Sequence, residues 1–386
     1  MNITSFAAAV CAGAGLSLAL FACLARRKGI GWRTIETACM LMMPLGVICG
    51  HLLYCGALFY EVIPEYGPTV FLTPWTGGFM FYGVFAGCAA ALWITARITD
   101  RKVLPRLADC TAPALLLLVA LIRLVEPLDG QGKGMDVEAG SPIAFFPLAF
   151  PDPEWPEEWN IAVFFFEALW ALVSCALVMK EKEEGKAAKL AAVLYASGQI
   201  LLETLRRDRV VRWRFTRVSQ ILSAVVLLLL LLDAVRKGKR TRKQAAWSLV
   251  GFMLMTGAVV ALEFAVDKPL KLPNGELFYF SYELTYSLIG LCAAGMGILT
   301  WMAGSMPEFK GENGTDVDSA PHCAEIFHTD SENGNQRECT TSQCNIVLFD
   351  FVHDNHDEHR HKYDDCDNTC WCHGKTPFLC VLKRTG

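Results

Sequence analysis

Apolar residues fall along this chain in runs of about twenty, broken by short polar stretches, over roughly its first three hundred positions. A helix that crosses a bilayer needs about 20 mostly apolar residues, because the hydrocarbon layer is roughly 30 Å thick. On that rule the pattern predicts nine spans, near 4–25, 35–59, 77–97, 107–125, 160–179, 188–205, 216–235, 246–265 and 279–303. The predicted fold class is all-α, a polytopic integral membrane protein of about nine transmembrane helices. Beyond Met306 the pattern stops. The tail to Gly386 is polar, with Gly-Glu-Asn-Gly-Thr-Asp and Asp-Ser-Glu-Asn-Gly-Asn-Gln runs, and such composition cannot bury a core. It reads as largely disordered. Three segments follow: residues 1–240, two additional helices over 241–305, and the Cys/His-rich tail 306–386.

Composition agrees with the pattern. Apolar residues make up 53% of the 386 positions, and with the positive hydropathy and the long uncharged runs this points to a membrane protein instead of soluble domains. The net charge of −4 says little, since the charge is unevenly spread. Nine of the 16 cysteines are scattered through apolar runs, where single cysteines behave as small hydrophobes. The other seven lie in the tail with seven of the eight histidines. There Cys366, Cys370, Cys372 and His373 are weak candidates for a metal site, because their spacing lacks a well-formed pair of ligand knuckles. The first apolar run is not a signal peptide. Its positive charges, Arg26, Arg27 and Lys28, follow the run instead of preceding it.

Charge also predicts orientation, since lysine and arginine collect in cytoplasmic loops. Basic residues crowd the loops 26–33, 97–106, 180–189 and 236–243, all on one side if the amino terminus is outside. Loop 61–76 has neither lysine nor arginine, and 126–159 has only Lys133. The carboxyl tail is then cytoplasmic. One loop departs from the rule: 206–217 holds six arginines on the predicted outer side. Either a helix is miscounted, or the charge is kept there to hold an anionic headgroup or phosphate. The agreement of every other loop favours the second reading.

With this topology, polar side chains from several helices converge on the outer level. His51 and Tyr54 share a face of the second span, Tyr82 opens the third, and Arg123 and Glu126 end the fourth. Glu167 lies two turns into the fifth. Gln199, Glu203 and Arg206, at spacings of four and three, line one side of the sixth. Each alone has a plain reading as a snorkelling arginine, a belt tyrosine, an ion-pair partner or a satisfied interior histidine. Together they predict a polar pocket open to the outer leaflet, where Arg123, Arg206 and Arg207 suit a phosphate. Asp109, near the inner end of the fourth span, is expected to cap its own helix, with Pro113 in the next turn. Glu263 and Glu283, near the outer ends of the last two spans, have no assigned part.

The stretch from Trp75 to Gly134 carries the densest motifs: Trp75-Thr76-Gly77-Gly78, Phe81-Tyr82-Gly83, Ala108-Asp109, Ala112-Pro113, Arg123-Leu124, and the glycine-rich Asp129-Gly130-Gln131-Gly132-Lys133-Gly134. With Arg26-Arg27 to Trp32, Gly50-x-x-x-Tyr54, Tyr195, Glu203, Arg206 and Ser219-Gln220-Ile221-Leu222-Ser223, their order resembles that of the bacterial prolipoprotein diacylglyceryl transferases over roughly residues 5–235. The resemblance implies transfer of a diacylglyceryl group from phosphatidylglycerol to the lipobox cysteine thiol of a prolipoprotein. Its implied partners are phosphatidylglycerol and prolipoprotein signal peptides, with no cofactor and no nucleic acid, in the bacterial plasma membrane. The implied catalytic residues are Arg123, Glu203, Arg206, Tyr82 and His51. Arg207, Glu167, Tyr54, Glu126, Gln199 and Gly134 would bind substrate.

The chain departs from the family pattern at several of these positions. Tyr82 stands where the family has histidine, and Glu126 and Asp129 stand for its loop asparagines. Gln131 replaces its loop glutamate, Gln199 the arginine four before Glu203, and His51 the arginine before Tyr54. A second reading therefore stays open, a non-catalytic lipid-binding or regulatory relative that keeps the pocket. A third is a transferase with a different acceptor or lipid.

Overall fold

The computed structural model describes residues 3–305, apart from position 75 and the stretches 153–154, 208–211, 214–215, 238–241, 268–269, 272–276 and 279–280. Trp75, the tail and the metal candidates Cys366, Cys370, Cys372 and His373 lie outside the described residues.

The described residues form ten α-helices: α1 Ile3–Arg27, α2 Trp32–Ala57, α3 Phe59–Tyr66, α4 Phe81–Ile98, α5 Leu104–Val125, α6 Val163–Met179, α7 Lys186–Leu205, α8 Val218–Arg236, α9 Arg242–Asp267 and α10 Tyr282–Ser305. All but the short α3 answer to a predicted span, with ends moved by up to four residues. Seven are long and apolar enough to cross a membrane: α1, α2, α4, α5, α8, α9 and α10. The other two expected positions are filled by α6 and α7, which fall short of that criterion for physical reasons. Helix α6 has 17 residues because 160–162, expected to open it, belong to the strand Trp159–Ala162. Helix α7 starts on Lys186 and Lys189 and turns Ser197, Gln199 and Glu203 inward, so its polarity is spent inside the bundle.

Helices α2 and α4 pack backbone to backbone. Each carries a pair of glycines four apart, Gly46 with Gly50 and Gly83 with Gly87. A Cβ on Gly87 would lie 2.2 Å from the Leu45 carbonyl oxygen, and one on Gly83 2.3 Å from that of Cys49. Without a hydrophobic drive between helices in lipid, such close approach supplies the van der Waals contact that holds them.

Ion pairs and caps sort the loops by end. Lys28 Nζ lies 3.6 Å from Asp109 Oδ2, Arg106 Nε 3.2 Å from Glu184 Oε2, and Lys189 Nζ 3.6 Å from Asp233 Oδ2. The basic segments therefore share one end of the bundle. Asp109 does not cap its own helix as expected. Its carboxylate accepts from the backbone N–H of Gly185 at 2.7 Å and of Ala188 at 3.1 Å, so it caps the start of α7. The reason is geometric: α7 begins beside it with orphan N–H groups, and a carboxylate suits that terminus.

At the other end a small antiparallel sheet, unforeseen in the loop 126–159, joins β1 Lys133–Val137, β3 Trp159–Ala162 and β2 Ala149–Pro151 in that order. Lys133 pairs in register with Ala162, and Phe150 with Asn160. Lys133 Nζ meets Asp152 Oδ2 at 2.5 Å. The Arg207 N–H donates to the Lys133 carbonyl at 2.9 Å, so the arginine loop after α7 lies on the sheet's end of the bundle. Six helices at predicted span positions, α1, α2, α4, α5, α6 and α7, precede it.

Candidate active site

Four segments meet at the sheet end. Helix α5 delivers Arg123 in its last turn, and a 3-10 turn over Glu126–Asp129 delivers Glu126. Helix α6 delivers Glu167 from its second turn, and Arg206 ends α7. Arg123, Glu126, Glu167 and Arg206 are each no more than 7% exposed. Arg123 Nη1 donates to Glu126 Oε1, and Arg123 Nε lies 3.2 Å from Glu167 Oε2. Arg206 Nη1 lies 2.9 Å from Glu167 Oε2 and 3.3 Å from Glu126 Oε2. Two guanidinium groups thus alternate with two carboxylates in one closed ring.

The ring is held from several sides. The Arg123 guanidinium sits 5.0 Å above the Phe81 ring. Gln199 Nε2 donates to Glu203 Oε2 at 2.6 Å and to Glu167 Oε1 at 3.3 Å. Gly132, at a positive φ of 82°, lies where a Cβ would come 2.6 Å from Phe164 Cβ and 3.4 Å from Glu126 Oε2. Only glycine lets the loop close over Glu126 there. Arg217 Nη2 donates to the Arg206 carbonyl at 2.6 Å and fixes the backbone that carries the second arginine. Buried charges in such a setting are stable only when paired and hydrogen-bonded. Arg123 Nε and Glu126 Oε2 are nonetheless buried with no well-aligned hydrogen bond among the described residues. Glu203, 3% exposed, has no cation partner there, only the Gln199 amide.

A second group stands beside the ring. The Tyr82 hydroxyl and Ser223 Oγ are 2.6 Å apart, and the Tyr82 ring meets Tyr195 edge-on at 5.6 Å. Tyr195 also packs on Phe85 at 4.9 Å. This places α4, α7 and α8 around one polar centre.

Of the residues singled out from the sequence, Arg123, Glu126, Glu167, Gln199, Glu203 and Arg206 come together, with Tyr82 on their flank. His51 does not join them. Its Nε2 lies 2.8 Å from the Val70 carbonyl and its Nδ1 3.3 Å from that of Gly78, so it ties the 67–80 segment to α2. Tyr54 packs against the backbone of Gly77 and Gly78, where added Cβ atoms would meet its ring at 3.1 and 2.8 Å. Arg207 is exposed and extends to the Tyr286 hydroxyl at 3.5 Å. Gly134 lies in β1 against Ile161 and Val163, where a Cβ would come within 2.9 Å of the Ile161 carbonyl. Four contributors were not among the candidates: Phe81, Gly132, Arg217 and Ser223. Ser223 stands in the Ser219-Gln220-Ile221-Leu222-Ser223 motif, and Arg217 closes the arginine loop. Both signals were present.

Comparison with known proteins places this arrangement. The family described as prolipoprotein diacylglyceryl transferase matches residues 1–235. A phosphatidylglycerol–prolipoprotein diacylglyceryl transferase of Symbiobacterium thermophilum is 25% identical over 249 residues, 59% of this chain and 86% of the relative. Proteins of the same name from Bacillus licheniformis and Streptococcus suis are 24% identical over 230 residues and 25% over 242. They cover 56% and 60% of this chain, and 81% and 88% of their own lengths. All the residues of the charged ring, and the Tyr82–Ser223 pair beside it, fall inside the matched segment, and this chain belongs to the prolipoprotein diacylglyceryl transferase family.

Proposed function

We propose that this protein transfers the diacylglyceryl group of phosphatidylglycerol to the lipobox cysteine thiol of prolipoproteins in a bacterial plasma membrane. The observation that carries the reading is the buried ring of Arg123, Glu126, Arg206 and Glu167, assembled from four segments at one end of the bundle. In the reaction a carbon–sulfur bond forms at the glyceryl carbon that bears the phosphate. The carbon–oxygen bond to phosphate breaks, and its electron pair leaves with glycerol phosphate. Charge grows on the phosphate oxygens as that bond breaks, and fixed guanidinium donors in a dry site stabilise it strongly. Arg123 and Arg206 take that part, and Glu167 and Glu126 hold their planes.

The thiol must lose its proton, because the thiolate is the nucleophile. Glu203 is the carboxylate of the cluster without a cation partner among the described residues, so it is free to receive that proton. The Tyr82–Ser223 pair orients groups beside it. His51 keeps a role through the 67–80 segment, since its Nε2 is engaged by the Val70 carbonyl.

Labelled transfer from phosphatidylglycerol to a lipobox peptide, by the purified full chain in detergent, tests the reading. Arg123→Ala is expected to lower turnover about 100- to 1,000-fold. Arg123→Lys should recover part of that, because lysine lacks the planar fork. Lys237→Ala, at the opposite end, should be tolerated. If the unaltered protein binds phosphatidylglycerol and transfers nothing, it is a lipid-binding relative. If Arg123→Ala works like the parent, the ring is not the site.

The ring end is taken to face outward, since the basic segments share the opposite end. The amino terminus is then outside and the carboxyl terminus cytoplasmic. In a background with its exposed cysteines replaced, Ala139→Cys should react with an impermeant thiol reagent in intact cells and Lys182→Cys should not. The reverse pattern would invert the topology.

A further inference from the structure

Helices α9 and α10 lie beyond the segment matched by the family, and they build a second cavity on the far side of α7 and α8. Its volume is about 260 Å³. Ile200, Phe252 and Met296 form its floor, each no more than 2% exposed. Val225 of α8 and Met253 of α9 form its rim, 43% and 60% exposed, so it opens sideways between those two helices. The walls are apolar apart from the Thr256 hydroxyl, which is spent on the Phe252 carbonyl at 2.9 Å, and they end at Gln220 and Glu263.

That polar end is unusual for a helix contact inside a membrane. Gln220 is 5% exposed, and its Nε2 is spent on the Ile200 carbonyl at 3.1 Å and on Glu263 Oε1 at 2.5 Å. Its Oε1 is buried and has no hydrogen-bond partner among the described residues. A buried acceptor without a donor costs about 1–3 kcal/mol, so native structures supply one. The Glu263 carboxylate beside it accepts from the same amide. The end of this cavity therefore takes a hydrogen-bond donor, which a phosphate oxygen, itself an acceptor, cannot supply.

The dimensions fix the rest of the ligand. From Glu263 to Met253 is ten residues, about 15 Å along a helix at 1.5 Å per residue. One leaflet of hydrocarbon is about 15 Å deep, half of the roughly 30 Å core. The polar end stands at the ring end of the bundle, because Gln220 lies in the first turn of α8 and Glu263 near the end of α9. The cavity thus spans one leaflet, with its polar end at headgroup level. Its volume lies below the roughly 300–1,000 Å³ of sites for drug-sized ligands, which suits a single chain.

We infer that the cleft between α8 and α9 is a second lipid site, which takes one acyl chain of an uncharged, hydroxyl-headed lipid whose hydroxyl donates to Gln220 Oε1. This goes beyond the transfer reaction and does not depend on it. The two sites differ in character, since the first offers arginines and the second a buried amide oxygen without a donor among the described residues. They are back to back on α7: Ile200 floors the cleft, and the adjacent Gln199 holds Glu167 and Glu203.

The test uses the full chain in phosphatidylcholine nanodiscs doped with diacylglycerol that carries a diazirine on one acyl chain. After irradiation, labelled residues are mapped by peptide mass spectrometry. Labels are expected on 221–228 and 252–260, at least fivefold above those from phosphatidylglycerol with the same diazirine chain. Ala224→Phe and Val260→Trp, which fill the cleft, should each remove that labelling while the protein still elutes as a single folded species. Equal labelling by the two lipids would overturn the inference. So would labels elsewhere on the bundle, or labelling that survives in whichever filled variant folds. The readout is labelling, so it stands even if transfer activity proves absent.

Discussion

Glu167 is the position where a small chemical change should have the largest effect. Its Oε2 serves both guanidinium groups, at 3.2 Å from Arg123 Nε and 2.9 Å from Arg206 Nη1, and its side chain is 2% exposed. Glu167→Gln keeps the shape and removes the charge. Glu126 then remains as the single carboxylate between two buried arginines. Breaking a buried pair by removing one partner typically costs about 3–5 kcal/mol, because the other charge is left uncompensated. At about 2–4 °C per kcal/mol, the thermal midpoint in detergent should fall by about 6–20 °C. Both arginines also lose their common anchor, and misplacement by about 1 Å at a reacting site costs roughly 100-fold in rate. Transfer of labelled diacylglyceryl groups at a temperature where the variant is folded should show that loss. Adding Arg206→Gln should restore part of the stability, since partners in one network couple by about 0.5–3 kcal/mol. A Glu167→Gln protein with an unchanged midpoint and turnover within twofold of the parent would refute the ring as an electrostatic unit.

Two further outcomes follow from the same geometry. Gly87→Leu should separate α2 from α4, because a Cβ there meets the Leu45 carbonyl at 2.2 Å; overpacking costs about 1–3 kcal/mol and more against backbone. Gly56→Ala, with nothing within 4 Å, is the control, and equal melting of the two would refute the close-packing account. Glu126→Gln should raise retention of phosphatidylglycerol in detergent, since a carboxylate competes with phosphate for the same donors; weaker retention would mean that Glu126 helps to bind the lipid.

The helices were legible because a bilayer imposes one length and one composition on anything that crosses it. Helix α7 kept its place in the pattern although Gln199 and Glu203 face inward, since enough of its other faces are apolar. The sheet in 126–159 was not legible. Its strands are three to five residues long, and β2 pairs with β3 across an irregular loop. The ring was largely legible, because buried arginines and glutamates near helix ends are few and costly. His51 and Tyr54 were read into it from their depth and from the resemblance. Depth does not give direction around a helix, and both turn toward the 67–80 segment. Asp109 shows the same limit, since sequence places it beside its own helix while the fold sets the start of α7 against it.

The two carboxylates of the ring are not equivalent, and this bears on how an anionic lipid enters. Arg123 and Arg206 supply two positive charges, while Glu126, Glu167 and Glu203 supply three negative ones. Both arginines are engaged by carboxylates, and in the proposed reaction a phosphate would compete with these for the guanidinium donors. Glu167 sits in the body of α6, where a fixed backbone and the Gln199 amide hold it. Glu126 sits on a 3-10 turn of four residues that leads into the Gly130–Gly132 segment. Its Oε2 lacks an aligned hydrogen bond, and a short turn with glycines beside it changes conformation at less cost than a helix interior. Glu126 is therefore the carboxylate that yields, and Glu167 the one that holds the arginines in place while it does. The family pattern that the sequence resembles has asparagine where Glu126 stands, a neutral group. In this chain the acid there closes the ring with both arginines, and in the proposed reaction lipid would compete with it for them.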